Sequence, residues 1–260
     1  MEDKAFKADP IEGKASLITS RRSFLRGSKI VVSAGLAAGL ALITRSTPAF
    51  APLQKCFLPQ TRIATPDGEV KVEELRIGES VLTASGDIGP VKWIGRQQFE
   101  RASNPGAAPI KISRFAIDGK APHADLYVSP GHAIYIGGVL IPARYLVNGI
   151  TIVADAKPEM LTITYYHVEL DTHEAILAEG LAVESSLGDD RSSFDNADEF
   201  VRLYGSIGQL TPFAPIAYKG GRTELASHIR SALAPIYDFR KPADKIRDRI
   251  AGRAKLARAA

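Results

Sequence analysis

Between residues 56 and 187, frequent turn signals divide the chain into short segments. Pro66-Asp67-Gly68 and Gly137-Gly138 each separate two runs rich in apolar and β-branched residues, as the turns of β-hairpins do. No segment in this part keeps a period of 3.6 residues for long enough to form a long helix, although residues 143–147 could form one helical turn. The pattern therefore predicts an all-β domain of about 130 residues.

The predicted strands of this domain lie at residues 61–64, 69–72, 78–84, 91–99, 133–136, 139–141, 150–154 and 161–170. After residue 187 the pattern changes, and we expect a loop, a short helix at 195–204 capped by Asp195, and a helix at 224–233. A basic, alanine-rich helical tail is expected at 236–260. The chain thus divides into a leader and linker (1–51), a β-domain (56–187) and a C-terminal extension (188–260).

The net charge of +4 is unevenly distributed along the chain. Residues 1–45 carry +4 and residues 240–260 carry +6, whereas the residues between them carry −6. The middle of the chain is therefore mildly acidic, so the pI near 9.1 does not indicate a nucleic-acid-binding protein, and we expect no nucleic-acid partner. The basic tail is most simply a solvated helix face, and contact with anionic lipid or nucleic acid is the alternative.

The N-terminal region has the features of an export signal. Arg21-Arg22 precedes Phe24-Leu25, and an uncharged apolar run of 14 residues follows at 30–43. A run this short suits a signal peptide better than a membrane span, which needs about 20 residues. The arginine pair and its spacing resemble a twin-arginine signal, which implies the twin-arginine export machinery as a partner. The alternative is a basic amphipathic or weakly anchored helix.

That signal implies export through the inner membrane to a periplasmic or secreted location. Ala49-Phe50-Ala51 has small residues at the spacing of a cleavage site, but Pro52 follows it. Cleavage before Phe50, behind Thr47-Pro48-Ala49, is the better alternative. If the signal is not removed, we expect the protein to stay membrane-tethered, and the signal segment could also contact the membrane transiently.

Cys56 is the only cysteine in the chain, so it cannot form an internal disulfide. Because it is the first residue of the β-domain, its thiol could attack the peptide bond that joins it to Lys55. The alternative is a small buried hydrophobic residue. A metal site made from Cys56, His132 and His173 lacks a closely spaced ligand pair, and we expect no metal and no small-molecule cofactor.

Three segments, in this order, resemble a known family. They are Cys56-Phe57-Leu58, Val128-Ser129-Pro130-Gly131-His132, and a run from His167 that ends in Ala178-Glu179-Gly180-Leu181. The ordered set is similar to the Hint domain, the autoprocessing module shared by inteins and hedgehog C-terminal domains, and most to the bacterial hedgehog/intein-type subgroup. The resemblance implies a horseshoe-shaped, all-β domain over residues 56–187, to which the residue pattern adds the short helical C-terminal extension.

The resemblance also implies an N-to-S acyl shift, in which the Cys56 thiol attacks the Lys55 carbonyl and converts the amide into a thioester. It places Ser129 and His132 in the family's Thr-x-x-His motif, beside the scissile peptide. There the imidazole of His132 could polarise the peptide or protonate the leaving amine. Serine in place of threonine keeps the hydroxyl group.

Three further residues are catalytic candidates by the same resemblance. His173 matches the histidine of the late segment, and Asp171 and His167 lie near it in the sequence. Each histidine also has a structural alternative. His132 could bond only its own loop, His167 could be a structural residue of a strand, and His173 could stabilise a turn.

Departures from the family pattern limit the reaction. Splicing needs a C-terminal asparagine preceded by a histidine, and Glu184 and Ser185 stand at those positions. Hedgehog-type sterol transfer needs an aspartate where this chain has Gly95. The expected reaction is therefore thioester formation at Lys55–Cys56, resolved by water or another nucleophile, with the chain's own N-terminal segment as substrate. Such a reaction turns over once.

Two other functions remain open at this point. The first is a catalytically inactive Hint fold that serves as a scaffold or a partner-binding module. The second is a thiol hydrolase acting in trans, with Cys56 and His132 as a dyad. The second is the less favoured, because a nucleophile that attacks its own preceding carbonyl needs no substrate cleft.

Overall fold

A computed structural model of the chain describes residues 55–188, 191–206, 208–218 and 221–259. The predicted export signal and its cleavage sites lie outside these residues. No helix in the described part of the chain is long and apolar enough to cross a membrane.

The described residues form twelve β-strands: β1 (Arg62–Thr65), β2 (Gly68–Lys71), β3 (Ser80–Leu82), β4 (Ile88–Glu100), β5 (Ile110–Ile112), β6 (Leu126–Val128), β7 (Ala133–Ile136), β8 (Val139–Pro142), β9 (Ile152–Val153), β10 (Thr162–Leu170), β11 (Ala175–Ala178) and β12 (Leu181–Glu184). Three α-helices follow within the same residues: α1 (Ala197–Tyr204), α2 (Gly221–Leu233) and α3 (Pro242–Ala259). Short 3-10 turns lie at Arg101–Ser103, Pro105–Ala107, Ala143–Tyr145 and Arg191–Ser193.

The strands form antiparallel sheets of six, three and three strands, as far as the structure describes them. The six-stranded sheet has the order β2-β1-β11-β12-β7-β8, and the smaller sheets have the orders β10-β4-β3 and β6-β5-β9. The fold class predicted from the sequence, mostly β with a short helical C-terminal part, is confirmed.

The segment Cys56–Leu58 runs between two of these sheets. The Phe57 N–H donates to Tyr166 O (2.8 Å), and the Tyr166 N–H donates back to Phe57 O (2.9 Å). On its other side, the Leu58 N–H donates to Tyr127 O (3.2 Å). This segment therefore links β10 of one small sheet to β6 of the other, and it holds Cys56 in the interior.

The core between the sheets is built from inward-facing apolar residues that alternate with exposed ones. In β4, for example, Val91, Trp93 and Gly95 point inward, while the residues between them are partly exposed. A second buried cluster combines strand residues with residues of the C-terminal extension: Cys56, Leu58, Trp93, Ile163, Tyr165, Phe194 and Phe200. The extension thus completes part of the core.

Two details of the predicted helices are wrong. Helix α1 has Asn196 and not Asp195 at its N-cap. The Asp195 carboxylate instead accepts the Gln98 N–H (2.9 Å) of β4. The tail helix begins at Pro242 and not at residue 236, since residues 236–241 form a turn and irregular structure. Proline suits the first turn of a helix because no intrahelical partner is needed for its nitrogen there.

Candidate functional site

Side chains bond both the nitrogen and the oxygen of the peptide group that joins Lys55 to Cys56. The Cys56 N–H donates to Ser129 Oγ over 3.0 Å. Since the Lys55 carbonyl oxygen can only accept, His167 Nδ1 carries the proton and donates to it over 2.7 Å. The structure therefore places a hydroxyl group at the nitrogen of this peptide and an imidazole at its oxygen.

Local structure explains how Ser129 and His132 reach this peptide. Ser129 follows the last residue of β6, and the His132 N–H donates to Ser129 O (3.1 Å), which closes a tight turn through Pro130-Gly131. The Ser129 N–H donates to Cys56 O (2.9 Å), so the turn is attached to Cys56 by its backbone as well. The Ser-Pro-Gly-His turn thus places the Ser129 hydroxyl and the His132 imidazole next to Cys56.

The imidazole of His132 contacts the peptide after Cys56 and is fully buried. Its Nδ1 lies 3.0 Å from Cys56 O, and its Nε2 lies 3.0 Å from Glu184 O. A neutral imidazole can donate to one of these carbonyl oxygens only. Burial lowers the pKa of His132, and it outweighs the opposing effect of the nearby Glu184 carboxylate. In this arrangement Ser129, and not His132, lies next to the nitrogen of the Lys55–Cys56 peptide.

Glu184 is a member of the site that sequence reasoning treated only as a missing splicing residue. Its Oε1 accepts the Ala133 N–H (2.8 Å), and its Oε2 lies 3.1 Å from Lys55 Nζ and 3.5 Å from His173 Nε2. Burial alone would raise the pKa of this carboxyl. The hydrogen bond from His173, the charge of Lys55 and the backbone N–H of Ala133 outweigh burial and hold the pKa below its usual value. Glu184 therefore anchors the side chain that precedes Cys56.

His173 is also buried, and the extension determines which of its nitrogens carries the proton. Its Nδ1 accepts the Phe213 N–H over 3.3 Å. The proton of the neutral ring is then on Nε2, which faces Glu184. The Phe213 ring lies against the His173 ring, with 5.0 Å between the ring centroids.

The extension covers the His167 side of the site in a similar way. The Phe194 ring lies 4.7 Å from the His167 ring between centroids, at 33° from parallel. Gly95, which pairs with His167 across β4 and β10, leaves room for this ring. A Cβ on Gly95 would lie 2.8 Å from Phe194 Cδ1 and 2.9 Å from the Trp93 ring. An aspartate here would therefore need a rearrangement of both rings.

The Cys56 thiol lies in the buried cluster and has no exposed surface. Burial raises its pKa well above the usual value, so the protonated thiol is the resting form at neutral pH. Attack by this sulfur requires loss of its proton as the bond to carbon forms.

The structure does not bring Asp171 to this site. Its side chain is 66% exposed and pairs with Lys92 Nζ over 3.4 Å. The other sequence-predicted residues, Cys56, Ser129, His132, His167 and His173, lie in the interior within one chain of contacts. Glu184 joins His132 to His173, and Phe213 contacts His173 from the extension; neither role has a local sequence signal.

One group of possible metal ligands occurs among the described residues, and it lies outside this site. Side-chain atoms of Glu69, His123 and Glu179 are close enough to share an ion. The Arg62 guanidinium pairs with Glu179 (2.8 Å) and Glu69 (3.6 Å), so one cation already contacts both carboxylates. This group is therefore a salt-bridge cluster and does not support metal chemistry at Cys56.

A sequence profile of the Hint domain matches residues 55–190, slightly more than half of the chain. No curated protein matches the chain. A bacterial intein-like domain from Clostridium thermocellum, solved in solution, is similar at 15% identity over 51% of this chain and 99% of that one, with a TM-score of 0.36. A DnaB intein from Synechocystis sp. PCC 6803 is similar at 7% identity over 50% and 98%, also with a TM-score of 0.36. Phe194 and Phe213 lie beyond the matched residues.

Proposed function

The chain belongs to the Hint domain family, whose domains are of the autoprocessing type, and from that premise we propose that it cleaves itself at Lys55–Cys56 by an N-to-S acyl shift. The observation that carries this proposal is that side chains contact both the oxygen and the nitrogen of that peptide group. His167 Nδ1 lies 2.7 Å from its oxygen and Ser129 Oγ lies 3.0 Å from its nitrogen. These are the two atoms that gain negative charge and a proton during acyl transfer.

In the first step, Cys56 Sγ attacks the Lys55 carbonyl carbon. The carbon–sulfur bond forms, negative charge develops on the carbonyl oxygen, and the hydrogen bond from His167 stabilises it. The carbon–nitrogen bond then breaks. The proton that the thiol gives up is balanced by the proton that the Cys56 nitrogen takes up, so the step is an isomerisation.

Ser129 is the candidate for delivering that proton. In the resting state its hydroxyl oxygen accepts the Cys56 N–H. When the nitrogen becomes tetrahedral it gains a lone pair, and a hydroxyl group can rotate to donate to it. His132 supports this step from the other end of Cys56. Its Nδ1 lies 3.0 Å from the Cys56 carbonyl oxygen, and this contact fixes the position of the Cys56 backbone.

In the second step, water or an added thiol attacks the thioester carbonyl. Water gives a carboxylate at Lys55 and leaves Cys56 with a free amine and a free thiol. The reaction consumes the chain's own N-terminal segment, so each molecule reacts once. We expect no splicing, because Glu184 and Ser185 stand where the second cleavage needs a histidine followed by an asparagine.

A catalytically inactive scaffold is the second candidate, and one observation favours it. The Cys56 thiol is fully buried, and burial raises its pKa well above the usual value. A thiol in that state is a weak nucleophile unless a base removes its proton as it attacks.

One experiment separates the two candidates. The intact mass and N-terminal residue of the full chain are compared with those of Cys56→Ala, each with and without added thiol. Self-cleavage predicts a wild-type chain that starts at Cys56, faster release with thiol, and no release from the variant. The same N-terminal residue in both chains, Met1 or Phe50, with masses that differ only by the sulfur atom of the substitution, would contradict the acyl shift and support the scaffold.

Export is a separate part of the proposal. The arginine pair Arg21-Arg22 and the apolar run at 30–43 support delivery through the twin-arginine machinery to a periplasmic or secreted location. Replacing both arginines with lysine should keep the protein in the cytoplasmic fraction, whereas replacing Lys4 and Lys7 with arginine should not. Equal export of both variants would overturn this assignment.

A further inference from the structure

Helix α2 turns an apolar face to solvent. Leu225, Ile229 and Leu233 repeat every four residues, and each side chain is about half exposed or more. Ile236, just after the helix, is 86% exposed. We call these four residues the α2 ridge. Single exposed apolar residues are common on soluble proteins, but a continuous row of them marks an interaction surface.

An aromatic pair follows the α2 ridge in the chain, just before α3. The rings of Tyr237 and Phe239 stack with 4.3 Å between centroids, and both side chains are mostly exposed. Asp238 lies between them and binds Arg240 Nε (2.9 Å) and Lys245 Nζ (3.4 Å). These two ion pairs bring cationic groups to the edge of the aromatic pair, so apolar and basic groups are adjacent here.

The charge of the two helices is strongly positive. Residues 221–259 contain ten Lys or Arg and four Asp or Glu. One of the four carboxylates, Asp244, has a fully buried side chain and pairs with Arg230. The following cationic residues of this part are exposed: Lys241, Lys245, Arg249, Arg253, Lys255 and Arg258.

We propose that the α2 ridge and the aromatic pair dock on the surface of an anionic lipid bilayer. The bilayer supplies an apolar layer for the ridge and a negative surface for the basic residues, and aromatic rings favour the boundary between the two. A second copy of this chain suits the surface poorly, because it would bring together two helical segments, residues 221–259, that each contain ten Lys or Arg and only four Asp or Glu. This inference does not depend on self-cleavage.

The test uses the full chain with Phe239→Trp as a local probe, since the natural Trp93 is fully buried and its emission should stay constant. Vesicles of equal parts phosphatidylglycerol and phosphatidylcholine should shift the emission of the new indole to shorter wavelength, and brominated lipids should quench it. Because the probe reports on the turn itself, binding through residues 1–54 does not produce this signal.

Two further variants in the Phe239→Trp background make the result specific. Replacing Ile229 and Ile236 with serine should weaken vesicle binding at least tenfold, whereas replacing the exposed Val201 and Leu203 of α1 with serine should leave it unchanged. High salt and pure phosphatidylcholine should each reduce binding. An unchanged emission, equal binding to neutral vesicles, or a shift that follows protein concentration without lipid would each overturn the proposal.

Discussion

At the scale of single residues, the Lys55 carbonyl oxygen accepts a hydrogen bond from the imidazole of His167. Removing one donor to a developing oxyanion typically costs about 2.7–4 kcal/mol in the transition state. We therefore expect His167→Ala to slow cleavage at Lys55–Cys56 by about a hundredfold to a thousandfold.

The rate is measured by intact mass over time. The matched control is His228→Ala, whose side chain is 61% exposed and lies on α2. A His167→Ala chain that cleaves as fast as the control would show that this imidazole only packs in the strand.

The lowered pKa of His132 predicts a dependence of stability on pH. In the unfolded chain this histidine takes up a proton near pH 6.5, whereas the folded protein resists that uptake. The free energy of unfolding should therefore fall as the pH drops below about 6.5 and level off below the folded pKa.

Urea unfolding at several values between pH 8 and pH 5 checks this expectation, with His132→Gln as the comparison. Glu184, whose folded pKa is also lowered, adds to the loss only in the more acidic range below its usual pKa. If the variant loses as much stability as the wild type between pH 7 and pH 5.5, His132 is not the group responsible.

Sequence reasoning brought the candidate nucleophile Cys56 and the Ser-Pro-Gly-His turn together, as the structure does, but it misplaced one carboxylate and overlooked the contacts of another. Asp171 lies two positions from His173 in the sequence, yet its side chain is exposed and pairs with Lys92. Glu184 contacts Lys55 through the pairing of distant strands. Nearness along the chain does not say which side of a sheet a residue faces, and long-range pairing leaves no local pattern.

At the scale of elements, β4 and the extension meet at Gly95. A Cβ there would lie 2.8–2.9 Å from the rings of Phe194 and Trp93, which have little room to move. Gly95→Ala should therefore destabilise the fold by about 1–3 kcal/mol.

Urea unfolding measures the change, and Gly252→Ala in α3 provides a control of opposite sign. Nothing lies within 4 Å of a Cβ at that position, so alanine should stabilise α3 by up to about 1 kcal/mol. Equal effects at the two positions would contradict the close packing of β4 on the extension.

Arg191 attaches the extension to β10. Its guanidinium bonds both carboxylate oxygens of Glu169 over 2.8 Å, and the Glu169 side chain is fully buried. Arg191→Met leaves that charge without this partner, which should destabilise the fold by about 3–5 kcal/mol.

The double variant with Glu169→Met should recover most of the loss, because it also removes the buried charge. Arg202→Met is the control, since Arg202 and Asp198 form a distant, exposed pair at 4.0 Å and the change should be close to zero. Chemical denaturation of the four proteins distinguishes these outcomes.

The β-hairpin of β7 and β8 shows what the sequence predicts well. Gly137 and Gly138 both have positive φ, as a tight two-residue turn requires, and β7 has the predicted bounds. The extension was harder to predict. Its contacts with β4 use backbone N–H groups of Arg96 and Gln98, which no side-chain pattern reveals.

At the scale of the whole molecule, residues beyond the Hint match cover the candidate site around the Lys55–Cys56 peptide. Phe194 covers His167, and Phe200 packs in the same buried cluster as Cys56. Since Cys56 is the only cysteine, a thiol reagent reports on this closure without interference.

We expect the thiol of the native protein to react slowly with a disulfide reagent. Phe200→Ala should react at least tenfold faster, because the cavity left by the phenyl ring loosens the packing over Cys56. Val201→Ala is the control on the same helix, since Val201 is 62% exposed. Equal rates for the two variants would mean that the extension does not limit access to the thiol.

The backbone hydrogen bonds of the segment Cys56–Leu58 with Tyr166 and Tyr127 are made by Phe57 and Leu58, so cleavage before Cys56 would remove none of these groups. A chain that begins at Cys56 would carry an amine and a thiol on neighbouring carbons, a combination that condenses readily with aldehydes. Because the Cys56 side chain is fully buried, that reactive end would remain in the interior of the protein. The product would therefore resist aminopeptidases and aldehyde capping until the protein unfolds.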